Sequence, residues 1–344
     1  MDALSEVLRV VRLNSAVFFN ARFTAPWCFA SPAAASVMQT LHPGAEQLVV
    51  FHLLTEGSCH VEVEGQPTVL LRAGDVIIFP QGHAHLMAST PGVQPAAPAD
   101  LTAILRRRPR MLQYGGGGEP TRFICGYLVC DPRLCRSIFL ALPPVVVVSL
   151  RANGQMNWLE QSIRYAVAEA ASPRPGGEGV LGKLSEVLFV EALRSYIAQL
   201  PPEQTGWLAG LRDRVVGKAL ALMHERPAEP WTLESLAKEA ATSRSVLAER
   251  FSHFVAQSPM SYLTRWRLAL ASNLLRSSSL DLSRIAQEVG YGTDTAFSRA
   301  FRREFGMPPA AWRRRAQQAV VAQEAARPEP PCASGGVRVW AASA

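Results

Sequence analysis

The 344-residue chain is 48% hydrophobic and 18% charged, enough apolar material for two folded domains and too much for a disordered polymer. No apolar run reaches the ~20 residues that cross a bilayer, since Pro143-Pro144 breaks the nearest one, and Asp2 and Glu6 stand where a secretory leader would be basic, so the expected location is the cytoplasm with no membrane partner. The formal charge is +7, and residues 211–316 hold 17 Lys and Arg against 10 Asp and Glu, so the whole excess sits in that one stretch; such a stretch suits a polyanion.

Residues 8–30 mix Val, Leu, Phe and Ala with polar residues, including Val17-Phe18-Phe19 and Trp27-Cys28-Phe29. From Gln47 to Leu86 short runs follow one another: Leu48–Leu53, Cys59–Val63, Thr68–Leu71 and Asp75–Phe79, separated by Glu56-Gly57, Glu64-Gly65 and Ala73-Gly74. Even spacing of this kind predicts a small antiparallel barrel or jelly roll. The string Gly74-Asp-Val-Ile-Ile-Phe-Pro80-Gln-Gly82-His83-Ala-His85 resembles the second sequence motif of cupins, in which Pro-x-Gly makes the bend that aims a histidine into the barrel. His52, His60, His83 and His85 are therefore candidate lining residues of an effector pocket; the alternative is that they are histidines satisfied by hydrogen bonds at the barrel mouth. A transition-metal site needs three or four converging ligands. The segment His52–Gly57 with Cys59-His60 does not reproduce the ligand spacing of metal cupins, and neither a metal nor another cofactor is expected.

Six cysteines, Cys28, Cys59, Cys125, Cys130, Cys135 and Cys332, contain no CxxC pair, so zinc spacing is absent. Cys28, Cys59, Cys125 and Cys130 are either inert thiols or candidate redox sensors. Residues 90–120 interrupt the strands with Pro91, Pro95, Pro98, the basic run Arg106–Arg110 and Gly115–Gly118, read as an exposed loop. Strand character resumes at Thr121–Cys130. Helices are expected at 157–171 and 179–200. The second carries Leu181, Leu184, Leu188, Leu193, Ile197 and Leu200 along one side, a stripe that fits either packing on the barrel or a partner helix. Pro201–Gly206 reads as a linker.

Beyond the linker, Asp213 is placed to cap a helix through His224, with Val216, Leu220 and Met223 inward. The next eighty residues then state one pattern twice. Leu236-Ala237 matches Ile285-Ala286, Ala241 matches Gly290, Ser243 matches Thr293, Leu247 and Phe251 match Phe297 and Phe301, Pro259 matches Pro309, and Tyr262 matches Trp312. Each copy reads as helix, turn, helix, the construction that lays its second helix in the major groove of DNA. Ser243 and Thr293 are its caps, and Leu247, Phe251 and Phe254 mark the buried face. The opposite face carries Arg244, Ser245, Ala248, Glu249 and Ser252 in the first copy, and Thr295, Ser298, Arg299, Arg302 and Arg303 in the second. A connecting helix is predicted from Pro259 to Arg276, with Trp266 and Leu270 buried.

The strings Ile285-Ala286, Val289-Gly290-Tyr291, Ala296 to Arg303, Gly306 to Pro309 and Trp312-Arg313 resemble the signature of AraC/XylS-type transcription regulators, over about a hundred residues. Ala241 and Ala256 depart from it, standing where glycine is usual. The resemblance implies a DNA-binding regulator whose barrel senses a small molecule or an oxidant, a homodimer contact through the helices before the linker, and RNA polymerase as a partner if the output is activation. It places Ser245, Ala248, Glu249, Thr295, Ser298 and Arg299 against base edges and Arg302, Arg303 and Arg313 against phosphates. The resulting fold class is α+β: a cupin-like regulatory β-barrel at 1–150, a helical dimerisation and linker region at 151–206, a tandem helix-turn-helix DNA-binding domain at 207–316, and a disordered tail at 317–344. A regulator of this kind is not an enzyme; the alternative is a metal-dependent cupin enzyme fused to a DNA-binding module.

Overall fold

The computed structural model describes residues 2–11, 14–41, 45–94, 111–131, 142–149 and 175–325, with residues 133, 139, 161–162, 165 and 168–169 between them. The basic run Arg106–Arg110, most of the helix expected at 157–171, Cys135 and Cys332 lie outside the described residues. In the first half, α1 (Ala3–Val11) precedes β1 (Asn14–Thr24) and β2 (Cys28–Ser31), and α2 (Ala34–Leu41) leads into β3 (Gln47–Glu56), β4 (Ser58–Glu62), β5 (Val69–Arg72), β6 (Asp75–Phe79) and β7 (His85–Ala88). The strands β8 (Met111–Gly115), β9 (Pro120–Cys130) and β10 (Val146–Ser149) complete this half. They form a six-stranded sheet in the order β10-β6-β3-β9-β1-β8 and a four-stranded sheet in the order β2-β7-β4-β5. Among the described residues every pair is antiparallel except β1 with β8. The barrel expected from the sequence takes the form of two facing sheets that no hydrogen-bonded strand pair closes among the described residues.

Side chains that alternate along a strand face opposite ways, and the large sheet is apolar on both faces. Leu48, Val50 and Leu54 of β3, Ile77 and Phe79 of β6, and Phe123, Cys125 and Tyr127 of β9 point inward, onto Cys59, Val61, Leu71 and Met87 of the small sheet. Val49, Phe51 and Leu53 of β3, Val76 and Ile78 of β6, and Ile124, Leu128 and Cys130 of β9 point outward. That outer face is covered by α3 (Gly177–Gln199), through Leu181, Leu188, Phe189, Ala192 and Leu193. The leucine stripe that suited a partner helix is therefore spent on the chain's own sheet.

The second half is helical: α4 (Trp207–Gly210), α5 (Arg214–Glu225), α6 (Leu233–Glu239), α7 (Arg244–Val255), α8 (Pro259–Ser277), α9 (Leu282–Glu288), α10 (Asp294–Phe305) and α11 (Pro309–Ala325). Helix α11 runs on past residue 316, where the tail was expected to begin, and residues 326–344 lie outside the described residues. Most of these helices start at a side-chain cap. The Asp213 carboxylate accepts from the Val215 and Val216 amides at 3.0 and 2.8 Å; Ser243 accepts from Val246 at 3.3 Å and Thr293 from Ala296 at 3.2 Å. Each such bond satisfies an amide that has no carbonyl within the helix and contributes about 1 kcal/mol.

Helix α8 belongs to two cores. Its first half places Tyr262, Leu263 and Trp266 with Leu236, Ala237, Leu247 and Phe251, a core continuous with the outer face of the large sheet. Its second half places Leu268, Ala271 and Leu275 with Ile285, Ala286, Val289, Phe297, Ala300 and Phe301. Phe251, Phe297 and Phe301 are wholly buried, and each contributes ~2 kcal/mol or more by leaving water.

Candidate nucleic-acid interface and buried histidine cluster

Burial of Leu247 and Phe251 on one side of α7, and of Phe297, Ala300 and Phe301 on one side of α10, turns the opposite faces outward. Arg244, Ser245, Glu249 and Ser252 are exposed on α7, as are Thr295, Arg299, Arg302 and Arg303 on α10; Ala248 and Ser298 are half-buried. The arginines divide by what they hold. Arg226 pairs with Glu239, Arg250 with Asp213, Arg276 with Asp131 and Arg284 with Glu288. Among the described residues, Arg244, Arg299 and Arg302 hold no such partner, so their charge is available to an external anion. Arg313 is half-buried and donates to the Leu280 carbonyl, which leaves its fork less free than its neighbours'.

Each copy needs a left-handed residue at two places, the turn inside the unit and the end of its second helix. Gly290 in the turn has φ 80° and Gly306 at the end of α10 has φ 75°, and the matching positions Ala241 and Ala256 hold φ 54° and 55°. Alanine accepts the left-handed conformation only with a clash between Cβ and backbone worth ~1–2 kcal/mol. Copy one keeps the turn geometry at that cost.

In the first half the structure brings His52 and His85 together and leaves His60 apart. His52 and Cys125 are register partners on β3 and β9, side by side on the inner face. His85, from the small sheet, reaches across to them. His52 Nδ1 lies 3.0 Å from Cys125 Sγ, His52 Nε2 lies 2.8 Å from His85 Nε2, and His85 Nδ1 lies 2.9 Å from the His83 carbonyl. The carbonyl can only accept, so His85 carries its proton on Nδ1 and accepts at Nε2. His52 then donates from Nε2 and accepts the Cys125 thiol proton at Nδ1. Burial pushes His52 well below the ordinary imidazole value, reinforced by its neighbour His85, and His85 down to about 4. The same desolvation pushes Cys125 up, and Cys59 up to about 12. The cluster is neutral throughout, which is not the thiolate and imidazolium of a nucleophilic pair.

His60 sits on β4 between the inward residues Cys59 and Val61, so it faces the other way, and His83 contributes its backbone rather than its ring. Cys28 is buried on β2, and Cys130 lies on the outer face of β9. Cys28 also stays protonated, its thiol pushed up by burial. Among the described residues no group of three or more His, Cys, Asp or Glu is placed to hold a metal ion, and no helix is long and apolar enough to cross a membrane. The sequence marked the histidines by type; the inward alternation of Phe123, Cys125 and Tyr127 was the signal that would have joined Cys125 to them.

Comparison with known proteins matches both halves. Residues 2–198 match the family described as Cupin, and residues 236–315 match the family described as Helix-turn-helix domain. A putative AraC-like transcription regulator of Streptomyces lividans is 35% identical over 272 residues, 78% of this chain and 88% of its own length. The HTH-type transcriptional regulator AlkR of Acinetobacter baylyi is 29% identical over 317 residues, 91% and 99% of the two chains. The RCS-specific HTH-type transcriptional activator RclR of Escherichia coli is 28% identical over 320 residues, 92% and 99%. The chain therefore belongs to the AraC-like transcription regulators, with a cupin domain ahead of its helix-turn-helix DNA-binding domain.

Proposed function

We propose that this regulator reads its operator with α7 and α10 together, Ser245, Ala248, Glu249, Thr295, Ser298 and Arg299 facing base edges and Arg244, Ser252, Arg302, Arg303 and Arg313 holding phosphates. The observation that carries this reading is that Arg299 and Arg302 are exposed on α10 and hold no carboxylate among the described residues, whereas Arg226, Arg250, Arg276 and Arg284 of the same domain do. Arg299 has the chemistry for guanine, a planar fork that matches O6 and N7, whereas Arg302 and Arg303 stand one helical turn further along and suit the flanking backbone. Replacing Arg299 with Ala is expected to weaken binding by ~1–3 kcal/mol at one base pair and to relax preference there, read by competition between operator variants. Equal loss on specific and random duplex would make Arg299 a phosphate contact instead.

The cupin half is the sensor in this proposal, acting through the pair His52 and His85 with Cys125. Strands β3 and β9 carry this cluster on their inner faces and the residues that seat α3 on their outer faces, so a ligand or oxidant that displaces His52 or Cys125 strains the strands on which the helical half rests. A small molecule is favoured over an oxidant by the neutral, buried state of the thiols, which makes them slow nucleophiles. The protein is a regulator without catalysis of its own, located in the cytoplasm and acting as a homodimer, for which the exposed Val180 and Val187 on the far side of α3 are the available contact. RNA polymerase is its partner where it activates. A metal-dependent enzyme is disfavoured, because His52 and His85 are engaged with each other and with Cys125 and a backbone carbonyl.

A further inference from the structure

The two helix-turn-helix units touch each other away from the connecting helix. The loop between α5 and α6 belongs to the first unit, and Gly290 opens the tight turn of the second. A Cβ on Gly290 would lie 2.8 Å from the Ala228 carbonyl oxygen, 2.9 Å from the Ala228 Cα and 2.9 Å from Arg267 Nη2, so backbone meets backbone there with no room for a side chain. Arg267, on α8, donates from Nε to the Pro227 carbonyl at 2.7 Å and from Nη2 to the Glu229 carbonyl at 2.6 Å. Its guanidinium therefore holds the loop on both sides of Ala228 and wedges it against Gly290. Arg267 is half-buried and, unlike the arginines that pair with carboxylates, spends its fork on neutral carbonyls.

Chain geometry makes this contact a strut. A single helix joining two bodies leaves them free to bend and twist about it, and among the described residues α8 is the one element common to both cores. The loop follows α5, on which α7 packs, and Gly290 lies three residues before the Thr293 cap of α10. A second point of attachment at Ala228 and Gly290 closes a triangle with α8 and removes those two freedoms. We infer that Arg267 is a positioning residue that fixes the angle and separation of the two recognition helices, and so the spacing between the two boxes that the protein accepts in its operator. This rests on both helices reading DNA together.

The test uses the full chain. DNA selected from a random library by the wild-type protein defines the two boxes, and duplexes are then made with one base pair inserted between them, and with the second box alone. Wild type is expected to lose about a hundredfold in affinity on the insertion, the loss of one box's contacts. Arg267→Met, which keeps the length of the side chain and removes its donors, is expected to bind the parent duplex about tenfold more weakly and to lose less than about tenfold on the insertion, because the second unit can now pivot to follow the displaced box. Its affinity for the single box should match wild type. Arg267→Lys, with one donor in place of the fork, should fall between the two. An insertion penalty in Arg267→Met as large as in wild type overturns the inference, and so does a single-box affinity that falls in step with the parent duplex, which would mean that Arg267 only supports the fold of the second unit. Failure of wild type to select paired boxes is a different result: it removes the two-helix reading itself.

Discussion

At the scale of single residues, the two copies of the helical unit differ most informatively where one has alanine and the other glycine. Gly290 and Gly306 take a positive φ freely, and Ala241 and Ala256 take it under strain. Ala256 is the cleaner test because it closes α7 with its amide bonded to the Ser252 carbonyl and lies outside the buried core. Relief of ~1–2 kcal/mol of left-handed strain, less the ~0.5–1 kcal/mol of extra entropy that glycine loses on folding, leaves Ala256→Gly more stable by about 1 kcal/mol. Chemical denaturation measures it, and a destabilised variant would show that the strain is not there. The departures from the family pattern were visible in the sequence; their backbone angles were not, because alanine gives no local sign of being forced through φ > 0. Arg267 was equally silent, since its acceptors are carbonyls 40 and 38 residues away in the chain.

At the scale of elements, α4, α5 and α8 are joined by a buried polar relay. Trp207 Nε1 donates to the Tyr262 hydroxyl at 2.7 Å, and that hydroxyl donates to His224 Nε2 at 2.7 Å, with the His224 ring packed 4.2 Å from that of Trp266. Burial holds His224 neutral down to about 3. The unfolded chain takes up this proton near pH 6.5 and the folded chain does not, so stability falls as pH drops from about 6.5 towards 3, by up to about 1.4 kcal/mol per pH unit for this one group. His224→Phe keeps a ring against Trp266 and should lessen the slope of stability between pH 6.5 and 4.5 by one proton's share, leaving that of His52 and His85; an unchanged slope would mean that His224 protonates in place. The elements themselves were unequally legible. Caps at Asp213, Ser243 and Thr293, the proline Pro259 and the spacing of Leu247 with Phe251 are local, and α5, α7, α8 and α10 follow from them. In β1 a register shift between Val17 and Phe19 breaks the two-residue period, and β10 hides in an apolar run, so neither strand declares itself. The pairing of His52 with His85 depends on how two sheets face each other, which no short window of sequence contains.

At the scale of the molecule, the regulatory and DNA-binding halves are in contact at both helical units. The first unit shares its core with the outer face of the large sheet, and α1 lies against α5. The second is met by residues just beyond the end of β9: Asp131 pairs with Arg276, and Arg133, bonded to Glu46 at 2.5 Å, lies 4.6 Å from the ring centroid of Trp312. Tyr262 and Trp312 are matching positions of the repeat, so the short helix α4 just after the linker grips one copy and the cupin domain grips the other at the same place. Charge follows the same division, since the excess of seven positive residues lies wholly within 211–316. Two recognition helices entering successive major grooves would lie on one face of the duplex, and hydroxyl-radical footprinting of the full chain on a selected operator tests this most directly. Two protected patches about one helical turn apart on the same face are expected. One patch, or two on opposite faces of the duplex, would contradict it.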